Sequence, residues 1–142
     1  MKEGQVTSLT GADLLGNQEL DRRFSEAMSQ KNIEQVMSCF WDSPDLVFVD
    51  FEGNVVRGSD NVRKNLEQKF AQSESQRLVI DEISHIRAGE SVFAVGTATY
   101  KMQAKDGTSQ QITERWTDVR AKIDGRWVYA MDHIHLLASP SP

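Results

Sequence analysis

Residues 114–135 read ERWTDVRAKIDGRWVYAMDHIH. Two runs rich in Trp, Val, Ile, Thr and Tyr meet at Asp124-Gly125. Asp-Gly between extended runs is among the strongest short-range hairpin signals, because both central residues of a tight hairpin turn need positive φ. Moving outward, Asp106-Gly107 and Ala88-Gly89-Glu90 punctuate the chain in the same way. They divide residues 77–87, 91–104, 109–123 and 126–137 into four long β-rich runs. A four-stranded antiparallel meander follows.

Upstream of Ser75 the period changes from two to that of a helix. Leu20, Phe24, Ala27 and Met28 fall at i, i+4, i+7 and i+8, one face of a helix starting near Asn17. Asn32 with Gln35 three residues on resembles a capping box. It opens a second helix with face Ile33, Val36, Met37 and Phe40, ended by Asp42-Ser43-Pro44. A strand over 46–50, a turn at Glu52-Gly53-Asn54 and a short strand at Val55-Val56 come next. Ser59 is placed to cap a third helix that points Val62, Leu66 and Phe70 inward. Helices first and a sheet after is an α+β arrangement. A long sheet curls under its own twist. The expected architecture is therefore a cone-shaped curved antiparallel sheet of about five to six strands, wrapped around three N-terminal helices and leaving a pocket.

A chain of 142 residues with 39% hydrophobic and 26% charged residues is a single globular domain by size and composition. Its boundaries are expected at a loose arm over 1–16, a domain over 17–137 and a frayed Pro-Ser tail over 138–142. The net charge of −5 with scattered basic residues offers no stripe for a phosphate backbone, so no nucleic-acid partner is expected. The single cysteine, Cys39, excludes an internal disulfide and reads as a small buried hydrophobe. No run approaches the ~18 apolar residues of a membrane helix, and the first residues lack a secretory apolar run. The expectation is a cytoplasmic protein without a membrane partner.

Two stretches carry a resemblance: VFVDFEGNVVRGSDNVRKNL, residues 47–66, and the hairpin of residues 114–135. With the order helix, helix, strand, helix, meander, they resemble the nuclear transport factor two-like superfamily over about residues 17–137. The superfamily includes ketosteroid isomerases, SnoaL-like polyketide cyclases and the association domain of calcium/calmodulin-dependent kinase. The hairpin, where DG-x-W leads to a last strand carrying Asp-His, is similar to SnoaL-like members.

The resemblance implies site residues. An isomerase places its general base, an aspartate, at the end of the first strand before a glycine turn, where this chain has Asp50. From its own sequence Asp50 is equally a turn-former whose carboxylate accepts local amide hydrogens. The isomerase's second, protonated carboxyl group corresponds to Asp118. Its helix tyrosine corresponds to Phe24, whose ring cannot donate a hydrogen bond, which argues against steroid isomerisation as such.

Strand alternation with Asp118 inward brings Glu114 and Trp116 to the same face and sends Arg115, Thr117 and Val119 to the other. On the last strand the resemblance implies Val128, Ala130, Asp132 and Ile134 on the concave side. Trp127, Tyr129, Met131, His133 and His135 then cover the convex side, a homodimer face of the kind the superfamily forms; a bulge would swap the faces. Asp132 joins Asp50 and Asp118 as a candidate catalytic group. Phe24, Met28, Trp41 and Phe70 join Glu114, Trp116 and Ile134 as the expected lining of a cavity for a small apolar ligand.

His133-x-His135, with His85 as a third ligand, has the donor type of a zinc site, but no carboxylate stands at ligand spacing on that face. Neither a metal nor a cofactor is expected. Two functions remain. One is a cofactor-independent isomerase, cyclase or related lyase, in which a carboxylate base acts on a carbonyl-containing apolar ligand. The other is a non-catalytic binding or assembly module of the same fold.

Overall fold

The computed structural model describes residues 6–137; the start of the expected arm and the Pro-Ser tail lie outside them. Three helices, α1 (Gly11–Ser29), α2 (Ile33–Ser38) and α3 (Ser59–Gln72), pack against one sheet. Its strands are β1 (Val6–Ser8), β2 (Val47–Val49), β3 (Val55–Arg57), β4 (Ser73–Ala88), β5 (Ser91–Ala104), β6 (Ser109–Ile123) and β7 (Arg126–Leu136). The order across the sheet is β1-β4-β5-β6-β7-β2-β3. All neighbours are antiparallel except β2 with β7, which run parallel. This is the expected α+β cone, with seven strands rather than five or six. The additional edge strand β1 lies in the segment expected to be loose, and α1 begins at Gly11 rather than near Asn17. Val6, Thr7 and Ser8 pair with Ala88, Arg87 and Ile86, so the free edge of β4 orders them.

The meander turns differ: at Asp106-Gly107 only Gly107 has positive φ (89°), in a loop between Ala104 and Ser109. Asp124 and Gly125 both have positive φ (51° and 77°), the pair a two-residue hairpin needs. The Asn32 side chain accepts the Gln35 amide hydrogen at 3.2 Å and starts α2. That helix ends at Ser38, earlier than Asp42-Ser43-Pro44 suggests, because Tyr129 of β7 claims the chain. Tyr129 N donates to the Cys39 carbonyl at 2.8 Å, and Trp41 N donates to the Tyr129 carbonyl at 2.9 Å. Ser59 does not cap α3. Gly58 occupies the cap position at φ 85°, a conformation that glycine takes without strain, and the Ser59 hydroxyl donates to Asp42 instead.

Bulges bend the sheet around the helices. Register slips by one residue in β4 between Ser73 and Ser75 and between Ile80 and Glu82. A third slip falls at β7, where Val119 pairs with Met131 but Arg120 pairs with Tyr129. Ala130 is thus the extra residue, and from that point the faces exchange. Asp132 and Ile134 stay concave as expected. Trp127 and Tyr129 do not lie on the convex surface; they are buried in the core against α1 and α2.

The concave side holds two apolar clusters. The larger joins Leu20, Val36, Leu46, Phe48, Val62, Leu66 and Phe70; the smaller joins Leu78, Ala94, Ala98 and Trp116. The Trp116 indole lies across Gly96 so closely that a Cβ there would stand 2.4 Å from the ring and 2.5 Å from the Glu82 carbonyl oxygen. Gly96→Ala is expected to cost about 1–3 kcal/mol by overpacking, measured as a fall in denaturant midpoint without a change in m-value. An unchanged midpoint would mean the indole is free to move.

Candidate functional site

Between the helices and the concave face lies a cavity of about 250 Å³, walled largely by aromatic and aliphatic side chains of α1, α3, β2 and the meander. A smaller lobe of about 30 Å³ adjoins it under α1. Phe24, Glu114 and Ile134 line both. The two are therefore neighbouring compartments of one site. Met28, Phe70, Lys69 and Tyr100 line only the larger lobe; Trp116, Asp118, Asp132 and Tyr129 line only the smaller. Of the residues expected in the lining, Trp41 alone is elsewhere, packed half-buried against the main core.

Carboxyl groups converge on the smaller lobe because β6 and β7 pair Asp118 directly opposite Asp132, with Glu114 two alternations along the same face. Their surroundings separate them. Burial pushes Glu114 up to about 7, against the pull of Lys69. Burial also pushes Asp118 up, to about 6, against the adjacent Arg120 guanidinium. Asp132 is raised well above the usual carboxylate range, by burial first and then by the charges of Asp118 and Glu114. Asp118 and Glu114 are thus raised toward neutrality, and burial beside these two charges favours the protonated form of Asp132. Carboxyl groups so separated can perform general acid–base chemistry.

Asp118 is held by a buried network beneath the lobe. Arg120, 0% exposed, donates from Nε to Asp118 Oδ1 at 2.8 Å and from Nη2 to Oδ2 at 3.2 Å. The same guanidinium donates to both Asp21 oxygens at 2.7 and 2.8 Å. The Tyr129 hydroxyl also donates to Asp21, at 2.7 Å, and His85 Nε2 lies 3.3 Å from it. Burial alone would raise Asp21, but the bonds from His85, Arg120 and Tyr129, together with the Arg120 charge, bring it below the usual range.

Asp50 is placed otherwise. It is buried, yet it lines neither lobe. Its Oδ1 accepts the backbone amides of Glu52 (3.0 Å) and Asn54 (2.9 Å). Its Oδ2 accepts the side-chain amides of Asn54 (3.2 Å) and Asn65 (3.4 Å). Burial opposes its charge, but these bonds, with Lys69 nearby, leave it below its ordinary value. The carboxylate is occupied as a turn-former.

His133 and His135 are exposed on the convex face, whereas His85 points to the concave side to meet Asp21 and Arg120. The three are not brought together. Arg115 is exposed beside the histidines, as alternation predicts. Sequence reasoning passed over Asp21, Lys69 and Arg120, and sent Tyr129 to the convex side. A signal existed for Asp21: with Asn17 it stands at i, i+4 on the apolar face of α1, where a polar side chain needs a buried partner.

No curated protein matches this sequence. Solved structures share its fold at low identity. A nuclear transport factor 2-like superfamily protein from Salmonella enterica serovar Typhimurium superposes with TM-score 0.81 at 19% identity, over 92% of this chain and 96% of that one. A candidate dehydratase of the same family from Streptomyces avermitilis gives 0.80 at 15%, over 89% and 97%. A candidate scytalone dehydratase from Novosphingobium aromaticivorans gives 0.80 at 12%, over 88% and 84%. The SnoaL-like domain model matches residues 22–130, and with the cone and its cavity in place the chain belongs to that family.

Proposed function

We propose that the protein catalyses proton transfer on a small apolar carbonyl compound, as an isomerase- or dehydratase-type enzyme that works through side-chain carboxyl groups. The observation that carries this reading is the convergence of Glu114, Asp118 and Asp132, with Asp21 beside them, on one end of a largely apolar cavity. Glu114, which lines both lobes, is the base that removes a proton alpha to the carbonyl. Neutral Asp132 donates to the carbonyl oxygen as negative charge develops there, or to a leaving hydroxyl group. Burial first, and then the charge of Asp118 fixed by Arg120, favour the protonated form of Asp132. Glu114 thus takes the role that the resemblance implies for Asp50, and Asp132 makes good the donor absent at Phe24. Two of the fold's neighbours bear dehydratase names, which agrees with this class of chemistry. An assembly-only role predicts a cavity filled by Phe24, Trp41 and Trp116; the open volume of about 250 Å³ beside Phe24 favours a ligand.

A ligand-shift thermal screen with steroid, polyketide and aromatic ketone libraries tests the reading. Hits are then assayed for turnover on the wild type, Glu114→Gln and Asp50→Asn. Turnover lost in Glu114→Gln and kept in Asp50→Asn supports it; the reverse pattern returns the base to Asp50.

The convex face supports a homodimer as the working form. Ile86, Phe93 and Val95 are 47%, 45% and 40% exposed there, and Phe93 pairs across the sheet with both Ile86 and Val119. A contiguous exposed apolar patch of this kind marks a protein-contact surface. Phe93→Glu is expected to convert a dimer into a monomer, read by light scattering on a sizing column. A monomeric wild type would remove the dimer.

A further inference from the structure

The larger lobe contains a charge that the proton-transfer chemistry does not use. Lys69, in the last turn of α3, is half-buried and lines the cavity. Its Nζ sits 4.4 Å from the Phe51 ring centroid and 5.8 Å from that of Phe48. Among the described residues it makes neither an ion pair nor a hydrogen bond. It is also the one cation in the lobe's described lining. An ammonium has three donors and no acceptor. The two rings attract its charge but accept none of those hydrogens, and the carboxylates of Asp50, Glu114, Glu52 and Asp132 act on it only from beyond salt-bridge distance, so its donors have no acceptor among the described residues.

We propose that the cavity binds an apolar carbonyl compound bearing a carboxylate, and that Lys69 receives that carboxylate. The proposal rests on the cavity reading above and deepens it to a substrate class. One half-buried ammonium matches one monoanion. A phenol, with a pKa of about 10, stays neutral at physiological pH, and the second charge of a phosphate would be unpaired and face Glu114. Burial lowers the Lys69 pKa against the pull of Asp50 and Glu114, so a bound carboxylate would also hold the amine protonated. Position sets the ligand's direction. Lys69 lines only the larger lobe, Asp132 only the smaller, and Glu114 both. The carboxylate therefore sits at the far end from the carbonyl that is activated, with the enolisable carbon at Glu114. Gln72 and Gln110 in the larger lobe's wall carry neutral amides suited to the second carboxylate oxygen.

The test is calorimetric titration with 6-acetyl-2-naphthoic acid and its neutral counterpart 6-acetyl-2-naphthamide, on the wild type, Lys69→Met and Lys69→Arg. The wild type is expected to bind the acid at least about tenfold more tightly than the amide, the range of a charge-assisted hydrogen bond. In Lys69→Met the ratio should fall to about one, while Lys69→Arg keeps the preference. Equal binding of acid and amide by the wild type, or an undiminished ratio in Lys69→Met, overturns the assignment and leaves the cavity reading intact. Binding of neither compound overturns both. Because the wild-type ratio decides on its own, a Lys69→Met chain that fails to fold does not shelter the proposal.

Discussion

Arg120→Met is expected to lower the unfolding free energy by about 3–5 kcal/mol, the cost of leaving buried charges without their partner. For a chain of this size that is a fall in Tm of roughly 10 °C or more. The guanidinium is fully buried and is the shared donor to Asp21 and Asp118. Methionine fills much of its volume, so the loss reports electrostatics more than a void. Taking two carboxylates out of water is costly, and among the described residues the guanidinium, His85 and Tyr129 offset it. The discriminating comparison is the triple variant Asp21→Asn, Asp118→Asn, Arg120→Met, which removes the charges together. It should lose less stability than the single substitution, because no uncompensated ion remains. A single variant within 1 kcal/mol of wild type would show that water reaches the network and solvates it.

Glu114→Gln is expected to reduce kcat by about 10²–10⁴-fold, the usual contribution of a positioned general base, with a much smaller change in KM. The amide keeps the shape of the cavity wall but cannot accept the proton. The pH profile gives the sign independently. Glu114 acts as a base only when ionised, and burial places its pKa at about 7. The kcat/KM value of the wild type should therefore rise with pH up to about 7 and then level. Any descending limb belongs to Asp132, whose proton burial and the neighbouring charges of Asp118 and Glu114 hold well above the usual range. An activity that falls as pH rises through 7 would reverse the assignment, making Glu114 the acid. Loss of the lower limb in Glu114→Gln ties the titration to this residue.

Local period and turn chemistry were enough for the architecture. Helical spacing at Leu20, Phe24 and Met28, Asp-Gly turns at Asp106 and Asp124, and alternation from Glu114 to Asp118 depend only on near neighbours. All were legible in the chain, as was the inward set Phe24, Met28, Phe70, Glu114, Trp116, Asp118, Asp132 and Ile134. Three features were not. The bulge at Ala130 turns Trp127 and Tyr129 inward, and a register slip belongs to a pair of strands, not to either sequence. Asp50 was ambiguous because a turn-former and a cavity base look alike in sequence. Only the position of Asn65, on α3, completes the hydrogen bonds that occupy its carboxylate. Lys69 reads locally as a solvated helix-terminal cation. The packing of α3 against the sheet puts it near Phe48 and Phe51 at the cavity wall. Sequence determined which faces are apolar, because that pattern repeats with the local backbone period. Which charges are buried together was decided by tertiary structure alone, since Asp21 and Arg120 meet across 99 residues of chain.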